Sequence, residues 1–258
     1  MSRIKKAFDN GKAFIPFLTC GDPDIETTEK LIKSIARAGA DIIELGIPFS
    51  DPTAEGPVIQ AANARALSGG VTTDKILDMA ARIKNEVSVP LVIMTYANVL
   101  FSYGTERFLK RALEAGICGV ILPDVPFEEK NEFAPLCRKY GIDFISLVAP
   151  TSNERIEIIA REAEGFLYCV SSLGVTGERS SITTNIGNMT ALAKRVSDIP
   201  AAVGFGISTP KQAREMASLS DGVIVGSAIV RIIGEHGKDS ETYVYEYVKT
   251  MKEAIKNI

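Results

Sequence analysis

The sequence predicts a (β/α)8 barrel. Eight short apolar runs recur along 258 residues, and amphipathic stretches of helical period lie between them. A doubly wound open sheet is the alternative for such an alternation. Against it, no G-x-G-x-x-G run follows the first strand.

The strands are read over AFIPFLTC (13–20), DIIEL (41–45), PLVIMTY (90–96), GVILP (119–123), DFISLV (143–148), GFLYCV (165–170), PAAVGF (200–205) and GVIVG (222–226). Between the first two, IETTEKLIKSIARAGA (25–40) sets Leu31, Ile32, Ile35, Ala36 and Ala38 on one side of a helix. TDKILDMAARIKNEV (73–87) keeps the same period. Residues 2–10 and 239–257 read as extra N- and C-terminal helices. With no Pro/Ser-rich linker and no low-complexity segment, residues 1–258 form a single predicted domain.

Composition narrows the function. Hydrophobic residues make up 46% and charged residues 24%, an ordinary globular balance. A net charge of −3 without a basic cluster argues against nucleic acid and against a membrane surface. No run is long enough to cross a bilayer and no leader is evident, so the expectation is a cytoplasmic protein. Cys20, Cys118, Cys137 and Cys169 lack C-x-x-C spacing and read as buried thiols. The sole histidine, His236, sits in a polar run and reads as a surface residue. No His-based triad or His metal cluster is therefore expected.

Chemistry in such barrels gathers at the C-terminal ends of the strands. Three features lie there. The first is a carboxylate pair in DIIELGIPFSDPTAEGPVIQ (41–60). Glu44 shares a strand face with Ile42, and a Glu on the face that fills a barrel would be partly desolvated. Glu44 reads as an acid/base group at the barrel mouth, with Asp51 and Glu55 on the loop above. A strand-end Glu in water or paired to an Arg is the plainer alternative. Desolvation on the inward face would raise its pKa. The second feature is a phosphate site. GFGIS (204–208) and IVGSAIV (224–230) end the last two strands, and Gly226–Ser227 opens a helix whose backbone N–H groups suit an anion. Tight strand-to-helix turns are the alternative there. The third is the polar segment SSLGVTGERSSITTN (171–185), read as a lid. No predicted strand carries a Schiff-base lysine, and the histidines of a His-ligated metal aldolase are missing. What remains is proton transfer on a phosphorylated small molecule, either isomerisation or carbon–carbon cleavage.

At these same residues the chain resembles the tryptophan synthase α-subunit family. ELGIPFSDPTAEGPVIQAANARAL (44–67), FIPFLTCGDPD (14–24), YANVLFSYG (96–104), LPDVPFEE (122–129), SSLGVTGERS (171–180), VGFGIS (203–208) and VGSAIV (225–230) fall in the family's order over nearly the whole length. The resemblance implies a TIM barrel that cleaves indole-3-glycerol phosphate to indole and glyceraldehyde 3-phosphate. It implies an α2β2 heterotetramer in which indole passes to a β subunit for L-tryptophan synthesis. Pyridoxal phosphate is expected only in that partner, with no cofactor and no metal in this chain.

The resemblance also implies site roles. Glu44 is the main acid/base, and Glu55 takes the place of the second carboxylate. The family's usual residue there is Asp, in A-D-G-P, whereas this chain has A-E-G-P. Glu moves the charge out by about 1.5 Å. A misplacement of that size costs on the order of 100-fold unless the loop compensates, as expected of a loop. Phe17 and Tyr168 resemble walls of the indole pocket, with ordinary barrel core the alternative. Thr176 resembles the lid residue that reaches the second carboxylate on closure. Gly177, Gly206, Gly226 and Ser227 resemble the phosphate cradle. Pro52, Asn98 and Phe101 resemble the face that meets the β subunit; Asp51 signals between subunits or simply caps its loop. A stand-alone indole-glycerol-phosphate lyase, a noncatalytic activator of the β subunit and a phosphosugar isomerase are the competing functions.

Overall fold

Strand β1 (Ala13–Thr19) is buried along its whole length, as a strand covered on both faces must be. In a computed structural model that describes residues 2–150, 152–170, 186–204 and 206–258, this strand sits at the middle of an all-parallel sheet. To one side lie β2 (Ile43–Gly46), β3 (Leu91–Met94), β4 (Ile117–Ile121) and β5 (Asp143–Ile145). To the other lie β9 (Gly222–Val225), β8 (Ala201–Gly204), β7 (Leu167–Val170) and β6 (Leu147–Val148). First strand therefore pairs with last, as barrel closure requires.

The run 143–148, predicted as one strand, is split at Ser146. Residues before the split pair with β4 and residues after it pair with β7. The two ends of the sheet thus meet at one buried residue, where the Tyr168 N–H donates to the Ser146 carbonyl at 3.0 Å. The remaining strands fall where the apolar runs place them, within a few residues at their ends. The helices are shorter than their apolar patterns. The predicted 25–40 helix runs Ile25–Arg37, capped at its start by Asp24 and left behind at Gly39, whose φ of 103° is left-handed. Thr73–Ile83 replaces 73–87.

Two-residue alternation sorts each strand's side chains. Ala13, Ile15, Ile42, Val92 and Tyr168 fill the barrel interior. Phe14, Leu18, Ile43 and Leu45 face the helices. Glu44 lies two residues beyond Ile42 and so points inward.

The N-terminal segment closes the bottom, and the C-terminal helix packs on the outer layer. The predicted N-terminal helix is only Arg3–Lys6, yet it delivers Ile4, fully buried, into the interior core. The C-terminal helix Glu241–Ile255 packs on Ile25–Arg37. From it Lys252 Nζ reaches Asp41 Oδ2 at 2.7 Å and the Lys12 carbonyl at 2.9 Å. The same Asp41 oxygen accepts the Phe14 N–H at 2.7 Å. Among the described residues no helix is long and apolar enough to cross a membrane.

The plug at the bottom has a tight point. A Cβ placed on Gly119 would stand 2.7 Å from Ile4 Cδ1 and 3.1 Å from Val92 Cγ1. Gly119→Ala is expected to destabilise the chain by about 1–3 kcal/mol through overpacking. Adding Ile4→Val, which removes Cδ1, should recover part of the loss. Urea denaturation of the two variants checks this, and equal stability of Gly119→Ala and wild type would show that the plug is loose.

Candidate active site

Glu44 sits in β2 between two strands that present apolar residues beside it, Phe17 in β1 and Val92 in β3. It is completely buried, and among the described residues neither of its carboxylate oxygens has a hydrogen-bond partner. An ionised carboxylate is costly there, so burial pushes the Glu44 carboxyl up to about 8. The Glu44 head is not in water, and no arginine among the described residues pairs with it.

Glu55 lies on the loop between β2 and the helix Pro57–Ser68. It is 9% exposed. Burial pushes its carboxyl up to about 7, against the lowering effect of a hydrogen bond from Asn63. Asn63 Nδ2 donates to Glu55 Oε2 at 2.6 Å, and Gln60 Nε2 donates to the Glu55 carbonyl at 2.7 Å. Tyr96, buried after β3, braces the loop from below. Its hydroxyl accepts the Ala54 N–H at 3.1 Å and its ring lies 5.2 Å from that of Phe49.

Both carboxylates line one cavity at the C-terminal end of the barrel. Phe17 and Tyr168 form two of its walls. Each ring depends on a glycine across the ladder. A Cβ on Gly46 would stand 2.5 Å from Phe17 Cζ, and one on Gly204 would stand 2.7 Å from both Tyr168 Cε1 and Oη. Gly206, Gly226 and Ser227 line the same cavity. Gly226 is the N-cap of the helix Ser227–His236, and no side chain caps that helix, so its first backbone N–H groups are left for a ligand. No lysine, arginine or histidine lines the cavity among the described residues. Nor does any group of three or more His, Cys, Asp or Glu among them suit a metal ion.

The remaining sequence candidates stand elsewhere. Asn98 and Phe101 lie on the helix Ala97–Tyr103 and are exposed, with the Phe101 ring leaning on Phe133 at 5.1 Å between centroids. Asp51 is exposed and accepts the Ser50 hydroxyl at 2.5 Å, while Pro52 is half-buried. None of these four lines the cavity. Thr176, Gly177 and the whole predicted lid 171–185 lie outside the described residues. All four cysteines are free, three buried and Cys118 half-buried. His236 is half-buried, not a free surface residue, because it stacks on Tyr243 with centroids 3.6 Å apart.

Sequence reasoning misses Asn63, Gly46, Met94 and Ile59. Asn63 carries a signal. It falls on the face of Pro57–Ser68 that also buries Ile59, Ala62 and Ala66, and a polar residue on an apolar face needs a partner.

The sequence pattern of the family described as "Tryptophan synthase alpha chain" matches residues 3–257. The "Tryptophan synthase alpha chain" of Lacticaseibacillus casei is 46% identical over 255 residues, covering 99% of this chain and 96% of its own. A crystal structure of the alpha chain from Legionella pneumophila superposes with a TM-score of 0.88 at 37% identity, covering 100% of this chain and 98% of that one. A tryptophan synthase complex from Pyrococcus furiosus matches with a TM-score of 0.87 at 34% identity over 95% of this chain and 99% of its own.

The burial of Glu44 makes stability depend on pH. Its folded pKa is raised, to about 8, so the folded chain keeps a proton that the unfolded chain releases in the ordinary carboxylate range. Stability attributable to this group therefore falls as pH rises toward that value and levels off above it. Glu44→Gln should stabilise the chain at pH ~8.5 by a few kcal/mol, because each tenfold change in acidity on folding is worth about 1.4 kcal/mol. The gain should be much smaller at pH ~4, where both folded and unfolded chains hold the proton. Denaturation midpoints at both pH values test this; an equal gain at both would sink it.

Proposed function

Because the chain belongs to the tryptophan synthase alpha chain family, we propose that this cavity carries out the carbon–carbon lyase half-reaction of that enzyme. Indole-3-glycerol phosphate is cleaved by retro-aldol chemistry to indole and glyceraldehyde 3-phosphate. The observation that carries the residue assignment is Glu44, an inward carboxyl without a partner among the described residues, in an apolar cavity that also holds Glu55.

Glu44 starts protonated, as a pKa pushed up to about 8 allows near neutrality. It gives its proton to indole C3, which turns the ring into a leaving group. The resulting Glu44 carboxylate takes the proton of the adjacent glycerol hydroxyl as the carbon–carbon bond breaks. The bonding pair returns to the ring, the hydroxyl carbon becomes the aldehyde, and Glu44 ends protonated again. Glu55, ionised, accepts the indole N–H and stabilises the electron-poor ring. Phe17 and Tyr168 hold the indole between them. Gly206, Gly226 and Ser227 receive the phosphate on backbone N–H groups at the helix N-terminus, with Gly177 completing the cradle and Thr176 meeting Glu55 when the lid closes.

Membership of this family implies work in a complex with a beta subunit. We assign Asp51, Pro52, Asn98 and Phe101 to that interface, and an α2β2 assembly in the cytoplasm. Pyridoxal phosphate then belongs to the beta subunit, and this chain needs no cofactor for its step. The exposed Phe101, 57% accessible, is the apolar anchor such a face requires.

Glu44→Gln should lower indole release by at least about 100-fold, both alone and with a beta subunit. A variant that keeps its rate would remove Glu44 from the mechanism. The dependence of kcat/KM on pH should be a narrow bell. Its acid limb should follow Glu55, pushed up to about 7, and its alkaline limb Glu44, pushed up to about 8. Initial rates across pH check both limbs, and Glu44→Gln should erase the alkaline one.

A further inference from the structure

We propose that Asn63 is a positioning residue, whose side-chain amide sets the orientation of the Glu55 carboxylate toward the substrate. The proposal rests on the reading of Glu55 as a reacting group.

Asn63 is 5% exposed and does not line the cavity, so it acts through another side chain. It sits on the helix Pro57–Ser68, which follows directly on the loop that carries Glu55. That helix grips Glu55 twice, at the carbonyl through Gln60 Nε2 at 2.7 Å and at Oε2 through Asn63 Nδ2 at 2.6 Å. The helix is itself anchored. Arg65, two residues on, makes a bidentate pair with Asp22 at 2.8 and 2.7 Å, and Asp22 is 2% exposed. A glutamate head on three rotatable bonds is thus tied to a rigid element both at its backbone and at its carboxylate.

The chemistry of the contact matters as much as its geometry. An amide nitrogen only donates, so it favours the ionised carboxylate over the acid. Among the described residues the titratable groups that share the cavity with Glu55 are Glu44 from β2 and Tyr168 from β7, and Tyr96, outside the cavity lining, acts on Glu55 electrostatically from beneath the loop. None is a cation. Among the described residues Asn63 is therefore the group that opposes the burial of Glu55 and draws its carboxyl back toward the ionised form.

The test uses the full chain with a beta subunit. Asn63→Leu keeps the size and removes the donor. It should lower kcat/KM by about tenfold to a hundredfold and move the acid limb to higher pH. Combined with Glu55→Gln, it should cost nothing further, since both act through one carboxylate. An unchanged rate and acid limb in Asn63→Leu would overturn the proposal, even with a lowered Tm. A measurement on the wild-type chain guards against a variant that does not fold. In 1H–15N spectra the Asn63 side-chain amide should titrate with Glu55 near pH 7 and lose that titration in Glu55→Gln. An Asn63 amide indifferent to Glu55→Gln would equally overturn it. If Glu55→Gln itself turns over at the wild-type rate, the reading of Glu55 fails. The amide titration still reports whether Asn63 holds the carboxylate.

Discussion

A carboxylic acid enclosed by apolar strands, with no donor among the described residues to stabilise its ionised form, sets the terms for everything around Glu44. Desolvation alone makes it a weak acid, and any cation or amide placed beside it would undo that. Its neighbours in register, Phe17 and Val92, are accordingly apolar. The barrel tolerates an arrangement that lowers its stability because the remaining interior is close-packed hydrocarbon and the outer core beneath the helices is large.

The same economy of charge governs the rest of the cavity. The proposed phosphate site lies where two strands end in glycine turns and a helix begins, with no cation among the described lining residues. A lysine there would stabilise the ionised form of Glu44 as well as the ligand. Backbone N–H groups at a helix start act over a short range and leave the deeper carboxyl alone. Glu55 is treated differently. It lies one layer above, keeps a hydrogen bond from Asn63, and comes out more acidic than Glu44. Two chemically equivalent groups are thus both held above the ordinary carboxylate range, the one with an amide donor less so than the one without.

Much of this is legible in the sequence, and the misses share a cause. Alternation along 41–45 is enough to turn Glu44 inward, because a strand's facing depends only on its own residues. The glycine-rich ends of the last two strands are visible for the same local reason, and the structure places Gly206 and Gly226 in the cavity lining. The break at Ser146 is not readable, since it depends on which strands flank it after the barrel has closed. The demands on Gly46 and Gly204 come from rings on neighbouring strands, so a local pattern cannot show them. Apolar periodicity draws helix ends too long because apolar residues continue past the point where Gly39 turns the backbone. The extra methylene of Glu55 signals a misplaced charge. The structure shows its head buried and tied to Asn63, a contact that a helical reading of QAANARAL contains but does not single out.

The pairing of β1 with β9 gives the order of synthesis a chemical meaning. The strands that place Phe17, Glu44 and Val92 leave the ribosome early, whereas β8, β9 and the cradle glycines come only in the last quarter of the chain. Without them the barrel would have an open side, and the burial that raises the Glu44 carboxyl would be incomplete. Its weak acidity is thus a property of the finished molecule, acquired at the moment the first strand meets the last. The raised pKa of Glu44 therefore belongs to the closed barrel and not to any one strand of it.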